Sequence, residues 1–346
     1  MATQMKAIVR SSPGPASVLQ LAELPVPALE NPHDILVKVR GVSINPADTK
    51  VRGAAAFPNG VLGWDAAGVV EQAGEKALFK KGDEVMYAGT VGRAGTNSQY
   101  HVVDSRIAGR KPKGWEFADS AGLPLVALTA WEMLEDQFNL KPHAAPAKEE
   151  TLLIINGAGG VGTIATQLAA KVFNVKNIVA TASRPETVEW VKKNGATHVI
   201  SHREDLAAQL KAQDLTPSLV FICYDPLPYV PQLATVVRPF GRIGSIVESQ
   251  EAVPIHLGGL FGAFGRSLSF HWECMFTRSM HGYDLEAQGR ILNEVAKLAE
   301  EGKLTSLTTV KEVFSVRSLR KAHETIDSGK AIGKIVFEVK DTIEEN

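Results

Sequence analysis

Cysteine is scarce in this chain: Cys223 and Cys274 are the only two in 346 residues. Two thiols exclude a disulfide framework and any lobe built on clustered cysteines around zinc, and both read as small core residues. Long apolar runs are absent as well. None approaches the roughly 20 residues that cross a bilayer, and the opening MATQMKAIVRSSPGP carries no secretory apolar core. The expected setting is therefore cytoplasmic, with no membrane partner. Neither sign of charge is in excess: 37 Lys and Arg stand against 38 Asp and Glu, a net charge of -1, so no global field draws the chain to nucleic acid or anionic lipid. A local basic site remains open. No internal repeat and no low-complexity tract is present.

What is present suits two domains, since 346 residues exceed what one small core organises. The first third is β-rich. KAIVR (6–10), LQLAEL (19–24), DILVKVRGVS (34–43), AAGVVEQAG (66–74), GDEVMYAG (82–89) and SQYHVV (98–103) alternate β-branched and polar residues between Pro, Gly and Asn punctuation. Many short strands with glycine turns predict a barrel-like or sandwiched sheet. Near residue 115 the texture becomes helical, with Pro124 between two helices. From 151 the order is strand, helix, strand, helix: TLLII, VGTIATQLAAKVF, NIVATA, RPETVEWVKKNG, THVI, REDLAAQLKAQ, SLVFICY, PYVPQLATVV and GRIGSIV. That alternation predicts an α/β doubly wound parallel sheet. A long helix over 284–302 and KIVFEVK follow toward the end.

NGAGGVG (156–162) lies directly after TLLII and before a helix, and Gly157, Gly159 and Gly162 satisfy G-x-G-x-x-G. In a dinucleotide fold these positions provide a tight turn, room for backbone to approach a pyrophosphate, and close helix-to-strand contact. The helix N-terminus then faces the phosphates. Gly160 and Val161 complete the turn, Val161 behind the nicotinamide ring. About 20 residues on, NAD-binding chains carry a carboxylate for the ribose hydroxyls. This chain has Ser183 and Arg184 there, and no acid until Glu186. A hydroxyl and a guanidinium grip a 2'-phosphate that a carboxylate would repel, so the expected cofactor is NADPH. His202, with Lys192 and Lys193, is a further source of positive charge. The plainer reading has Ser183 capping the next helix and Arg184 solvated.

VRGVSINPADTKVRG, GWDAAGVV, KKGDEVMYAG, LPLVALTAWEML, NGAGGVG, GRIGSI and AIGKIVFE, spread over residues 39–338, together resemble the medium-chain dehydrogenase/reductase superfamily. Within it, HWECMFTRSM (271–280) is similar to a segment shared by quinone oxidoreductases and the zinc-type alcohol dehydrogenase-like group. The resemblance implies a GroES-like β-barrel catalytic domain formed by residues 1–127 and 272–346. A Rossmann dinucleotide-binding domain over 128–271 would be inserted in it, with the active site in the cleft between them. Zinc-binding members place their ligands where this chain has Asn45, Trp64 and a residue near Leu125. None of these is a thiolate, imidazole or carboxylate, and Asp65 alone is insufficient, so a metal-free site is expected.

Without a metal, hydride must go to an acceptor that needs little electrophilic help. Quinones and α,β-unsaturated carbonyls qualify, and water or a weak acid can protonate the product. The alternatives are a carbonyl or enoyl reductase of the same superfamily, or a non-catalytic NADPH-binding protein. By position, Asn45 bonds a substrate oxygen or the nicotinamide ribose, or else makes an Asx turn or helix cap before Pro46. Trp64 forms an apolar pocket wall or packs in the barrel. Thr129 resembles the family threonine at the nicotinamide, with a core or capping role as the alternative. Ser245 ends a parallel strand, where ligands collect. Lys334 reaches cofactor phosphates or is solvated. His271 and Glu273 look like a catalytic pair, but structural roles fit them equally. The expected partner is a small-molecule substrate, and the resemblance implies a homodimer joined through edge strands.

Overall fold

The computed structural model describes residues 3–58, 60–145, 150–254 and 262–346. The chain divides into two compact units: Met1–Leu128 with Phe276–Asn346, and Thr129–Met275. No helix among the described residues is long and apolar enough to cross a membrane.

The first unit opens with β1 (Gln4–Arg10), β2 (Leu19–Pro25), β3 (Asp34–Ser43), α1 (Pro46–Gly53), β4 (Gly60–Val61), β5 (Ala66–Ala73), β6 (Glu84–Tyr87), β7 (Tyr100–Asp104) and β8 (Ala108–Arg110), then α2 (Phe117–Ala121) and α3 (Pro124–Glu132). All six strands expected from alternation are found. The short β4 and β8, two and three residues long, offer no period to read. Pro124 begins α3, where its missing N–H is not needed by the helix.

Strand β3 organises this unit. Its first half pairs antiparallel with β7, Asp34 opposite Asp104, and along its length it pairs with β5 through two register shifts. Such irregularities bend a strand and let a sheet curve. The chain returns to this unit through α8 (Thr277–His281), α9 (Glu286–Glu300), β15 (Thr308–Val313), α10 (Val316–Asp327) and β16 (Lys334–Glu338), with the second unit's elements numbered between α3 and α8. Strand β16 pairs antiparallel with the end of β3, Val336 opposite Ser43. A strand from the last tenth of the sequence thus completes a sheet begun in the first. Helix α1 is tethered at its far end: the Arg10 guanidinium, 1 % exposed, donates to the carbonyls of Val51 and Arg52 in its last turn and of Ala54 and Phe57 just beyond it.

The second unit runs β9 (Thr151–Ile155), α4 (Gly160–Lys171), β10 (Asn177–Thr181), α5 (Pro185–Lys193), β11 (His198–Ile200), α6 (Leu206–Ala212), β12 (Leu219–Ile222), α7 (Val230–Val236), β13 (Arg242–Ser245) and β14 (Ser269–Trp272). The six strands lie in the order β11-β10-β9-β12-β13-β14, every pair parallel. In order of appearance this is 3-2-1-4-5-6, the doubly wound Rossmann arrangement, whose ligand crevice opens where the order reverses, here between β9 and β12. Strand β9 is buried along its whole length, as a parallel strand covered on both faces must be. On one face Leu153, Val179, Val220 and Ile243 pack with Leu210 and Leu233 of α6 and α7. The sequence boundary between 271 and 272 falls inside β14, because Trp272 is still in register with Ser245. The sheet needs that pairing, so the unit extends to Met275.

Candidate functional site

Two clusters, one in each unit, collect most of the residues singled out in the sequence; Thr129, Ser245, His271 and Glu273 lie outside them.

In the first unit, the end of β3, the start of α1, the residues before β5 and the start of β16 converge. Asn45 is the N-cap of α1, with Pro46 as the first helical residue. The Asp48 carboxylate, three residues on, accepts the Asn45 backbone N–H at 2.7 Å, closing half of a capping box. Asp65 is fully buried and saturated: Oδ1 accepts from the Leu125 N–H at 2.8 Å, and Oδ2 accepts from the Ser43 hydroxyl at 2.7 Å, the Asn45 amide at 2.8 Å and the Lys334 ammonium at 3.0 Å. Lys334 also donates to the Ile44 carbonyl at 2.9 Å and to Asn45 Oδ1 at 2.6 Å.

The three hydrogens of the ammonium therefore have three acceptors. This corrects the solvated reading of Lys334, which is 3 % exposed, and its donors are used within the fold by Ile44, Asn45 and Asp65. Asn45 is likewise engaged on both ends of its amide, by Asp65 and Lys334, so it occupies the N-cap position of α1 without a side-chain cap bond. Burial pushes the Asp48 carboxyl up to about 7, raised further by Asp65 and opposed by the Asn45 N–H and the Lys334 charge.

Trp64 lies beside this cluster, 3 % exposed and edge-on to Phe276 with ring centroids 6.1 Å apart. Its ring N–H is buried and has no acceptor among the described residues. Nearby in the same unit, the Tyr87 hydroxyl lies 3.2 Å from His101 Nδ1, while His101 Nε2 meets the Ala94 carbonyl at 2.9 Å. Burial lowers the His101 pKa to about 4.

Zinc does not suit these positions. An amide, an indole and an aliphatic side chain stand at the ligand places implied by resemblance, and the one carboxylate already holds an ammonium. No group of three or more His, Cys, Asp or Glu side chains placed to share a metal occurs among the described residues.

In the second unit the glycine turn sits at the tip of β9, beside the switch point. The left-handed residue of the turn is Asn156, φ 63°, one position before Gly157. Asn tolerates that region, and its amide donates across the switch point to the Cys223 carbonyl beyond β12 at 3.2 Å. Gly157 is instead needed for packing: a Cβ there would lie 2.7 Å from Ala180 Cβ on β10. At Gly162 a Cβ would come within 2.4 Å of the Asn156 carbonyl, the close contact expected of the third glycine. Gly159, the N-cap of α4, Gly160 and Val161 are half-exposed. The Gly159 N–H donates to the Asn156 carbonyl at 3.2 Å, and the N–H groups of Gly160 and Val161 open a twelve-residue helix, where helical geometry offers no internal acceptor. A pyrophosphate fits this turn.

Beyond the tip of β10, the Ser183 hydroxyl lies 3.2 Å from His202 Nε2. The N-cap of α5 is Arg184, not Ser183: Thr187 Oγ1 accepts the Arg184 N–H at 3.1 Å and donates to its carbonyl at 2.8 Å. That leaves the Ser183 hydroxyl to the histidine. The Arg184 guanidinium meets Glu186 at 3.3 Å. Burial first, then the charges of Arg203 and Arg184, hold the His202 pKa below its usual value. Lys192 and Lys193 are in the last turn of α5, the end remote from Arg184, and Lys193 lies over the Trp190 ring.

Thr129 is buried on α3. Ser245 ends β13, but its hydroxyl is turned onto the Val247 carbonyl at 2.9 Å. His271 lies 2.9 Å from the Ser269 hydroxyl, and Glu273 accepts from Gln137 at 3.2 Å. Ser43 and Asn156 were missed in the sequence. The signal for Asn156 was the Asn-Gly pair closing an apolar strand. Nothing in local pattern marks Ser43.

Residues 31–116 match the family model of the alcohol dehydrogenase GroES-like domain, and residues 194–337 that of the zinc-binding dehydrogenases. A zinc-type alcohol dehydrogenase-like protein of Staphylococcus epidermidis is 35% identical over 314 residues, 89% of this chain and 91% of that protein. The NADPH-dependent alkenal/one oxidoreductase of Arabidopsis thaliana chloroplasts is 28% identical over 348 residues, 96% and 79% of the two chains. Among solved structures, a putative zinc-dependent alcohol dehydrogenase protein from Rhizobium etli superposes with a TM-score of 0.89 at 41% identity, over 98% of this chain and 99% of that one.

Proposed function

The chain belongs to the medium-chain dehydrogenase/reductase superfamily, and from that premise we propose an oxidoreductase that takes NADPH, works without zinc, and reduces quinones or α,β-unsaturated carbonyl compounds. The observation that carries the cofactor reading is the cluster of Ser183, Arg184 and His202 at the tip of β10. The first acid there, Glu186, already faces Arg184. A hydroxyl, a guanidinium and an imidazole suit a phosphate monoester, whereas ribose hydroxyls alone call for a free carboxylate. Gly159, Gly160 and Val161 would hold the pyrophosphate at the start of α4. When bound, the reduced nicotinamide supplies a hydride.

Metal independence rests on the chemistry of the first cluster. Lys334 places its ammonium on the carboxylate that would otherwise attract a cation, and Asn45 and Trp64 supply no zinc donors. Acceptors that need no Lewis acid then become the favoured substrates, in keeping with the alkenal/one reductase relative. Trp64 contributes an apolar wall, and its unused N–H is a donor suited to a carbonyl oxygen. A homodimer is proposed through β14, the outermost strand of its sheet, whose Trp272 is 51% exposed beside Phe270.

The test is a titration of purified protein with NADPH and NADH, followed by turnover with 9,10-phenanthrenequinone, an alkenal and a simple ketone, with metal analysis of the same sample. NADPH preference, turnover of the first two acceptors and substoichiometric zinc support the reading. A preference for NADH, or stoichiometric zinc required for turnover, overturns it. Tight NADPH binding with no acceptor turned over would leave a cofactor-binding protein without catalysis.

A further inference from the structure

Position 202 carries an imidazole where a permanent cation would serve a phosphate as well, and its surroundings explain what the difference does. His202 is exposed in the turn after β11 and touches the Ser183 hydroxyl through Nε2 at 3.2 Å. Two guanidinium groups act on it, Arg203 from its own turn and Arg184 from the start of α5. Both disfavour its protonation, as does its partial burial. Glu186 is engaged with Arg184, and the Asp205 carboxylate accepts the Ala208 N–H at the start of α6. In this state a second proton on the ring would add a third positive charge to a small cluster. A doubly charged phosphate among the same three groups reverses that balance, because an opposite charge within about 4–6 Å raises a histidine pKa by one to three units.

We propose that His202 is the proton-linked element of cofactor selection: it takes up a proton from solvent on the ring nitrogen left bare when NADPH binds, and stays neutral when NADH binds. The inference rests on the reading of this cluster as the 2'-phosphate site. It makes discrimination between the two cofactors pH-dependent, strongest where protons are available and weaker as pH rises. Ser183 acts as the positioning residue, holding the ring by its hydroxyl.

The phosphate itself loses its second proton near pH 6, so the window from pH 7.0 to 8.5 reports on the protein alone. Calorimetric titration of the protein with NADPH across that window should show affinity falling several-fold, up to about tenfold per pH unit for one linked proton. Repeated at pH 7.5 in two buffers of different ionisation enthalpy, it should show net uptake on the order of half a proton. NADH should show neither effect. His202→Gln should bind NADPH more weakly at pH 7.0 and lose both the slope and the proton uptake. His202→Arg should keep tight binding with no slope, which a merely structural role for the ring would not give. If NADPH is preferred over NADH but wild type and H202Q share one slope, the proton linkage is wrong and the phosphate site stands. Equal affinity of wild type for NADPH and NADH would remove the phosphate site, and this inference with it.

Discussion

The Lys334 ammonium lies 3.0 Å from the Asp65 carboxylate, with the two side chains 2 % and 0 % exposed, so a charge pair brought together from β16 and the residues before β5 is closed off from solvent. Such a pair adds little over a well-packed apolar substitute, yet leaving one partner alone costs about 3–5 kcal/mol. Asp65 has four donors, and the ammonium is the one that carries charge.

Lys334→Met should therefore destabilise the protein by about 3–5 kcal/mol, measured as a lower urea midpoint. Adding Asp65→Asn should recover part of that loss, since the uncompensated charge is then removed. Strictly additive losses in the double variant would show that the two side chains are not coupled.

At the other cluster, Arg184→Ala removes a guanidinium that lies 32 % exposed beside Glu186. The fold should tolerate the change, because the start of α5 is held by Thr187. NADPH should bind more weakly by about 1.5–3 kcal/mol, the range for hydrogen bonds to charged groups, with NADH little affected. Equal losses for both cofactors would mean that the side chain serves the fold.

Gly162→Ala tests the turn itself. The added methyl would meet backbone atoms, the Asn156 carbonyl at 2.4 Å and Gly157 Cα at 2.7 Å, and neither can swing away as a side chain would. The expected loss of stability is about 1–3 kcal/mol, as for overpacked cores. NADPH and NADH should weaken together, since the turn serves the part they share. Binding of both at wild-type affinity would remove the turn from the site.

Much of this architecture is legible in local pattern. TLLII and NIVATA have apolar interiors, LLII and IVA, because β9 and β10 are covered on both faces, and the strand–helix alternation carries the sheet. The glycine turn is readable because each glycine answers a steric demand, although the one left-handed residue proved to be Asn156. The charged cluster of the first unit was not readable. Asn45, Asp65 and Lys334 are separated by up to 289 positions, and their contact depends on β16 lying along β3. No sequence period reports that pairing. A lysine at the start of a strand looks solvated until the partner strand is known. His202 was readable as a nearby source of charge, but its contact with Ser183 was not, because β10 and β11 must lie side by side before the two side chains meet.

Stability toward acid provides the remaining test. His323 on α10 is fully buried. Arg52, on α1, donates to its Nδ1 at 2.9 Å and to Asp327 at 2.8 Å, and the ring Nε2 has no partner among the described residues. Burial, then the Arg52 charge, lowers the His323 pKa to about 3, against about 6.5 in an unfolded chain. Below pH 6.5 the unfolded chain therefore binds a proton that the folded one refuses. The stabilisation is complete above pH 6.5 and is lost as pH falls toward the folded value, at about 1.4 kcal/mol per pH unit. His101, lowered to about 4, adds a slope of the same sign. Asp48, raised to about 7, opposes them, because its preference for the protonated folded form fades as pH rises through 7. Between pH 4.5 and 6 the balance of two against one should leave stability falling as the solution is acidified. His323→Gln, whose amide oxygen can still accept from Arg52, should flatten the dependence of the urea unfolding free energy on pH by about one proton's worth over that range. An unchanged slope in the variant would mean that the buried ring is not what refuses the proton.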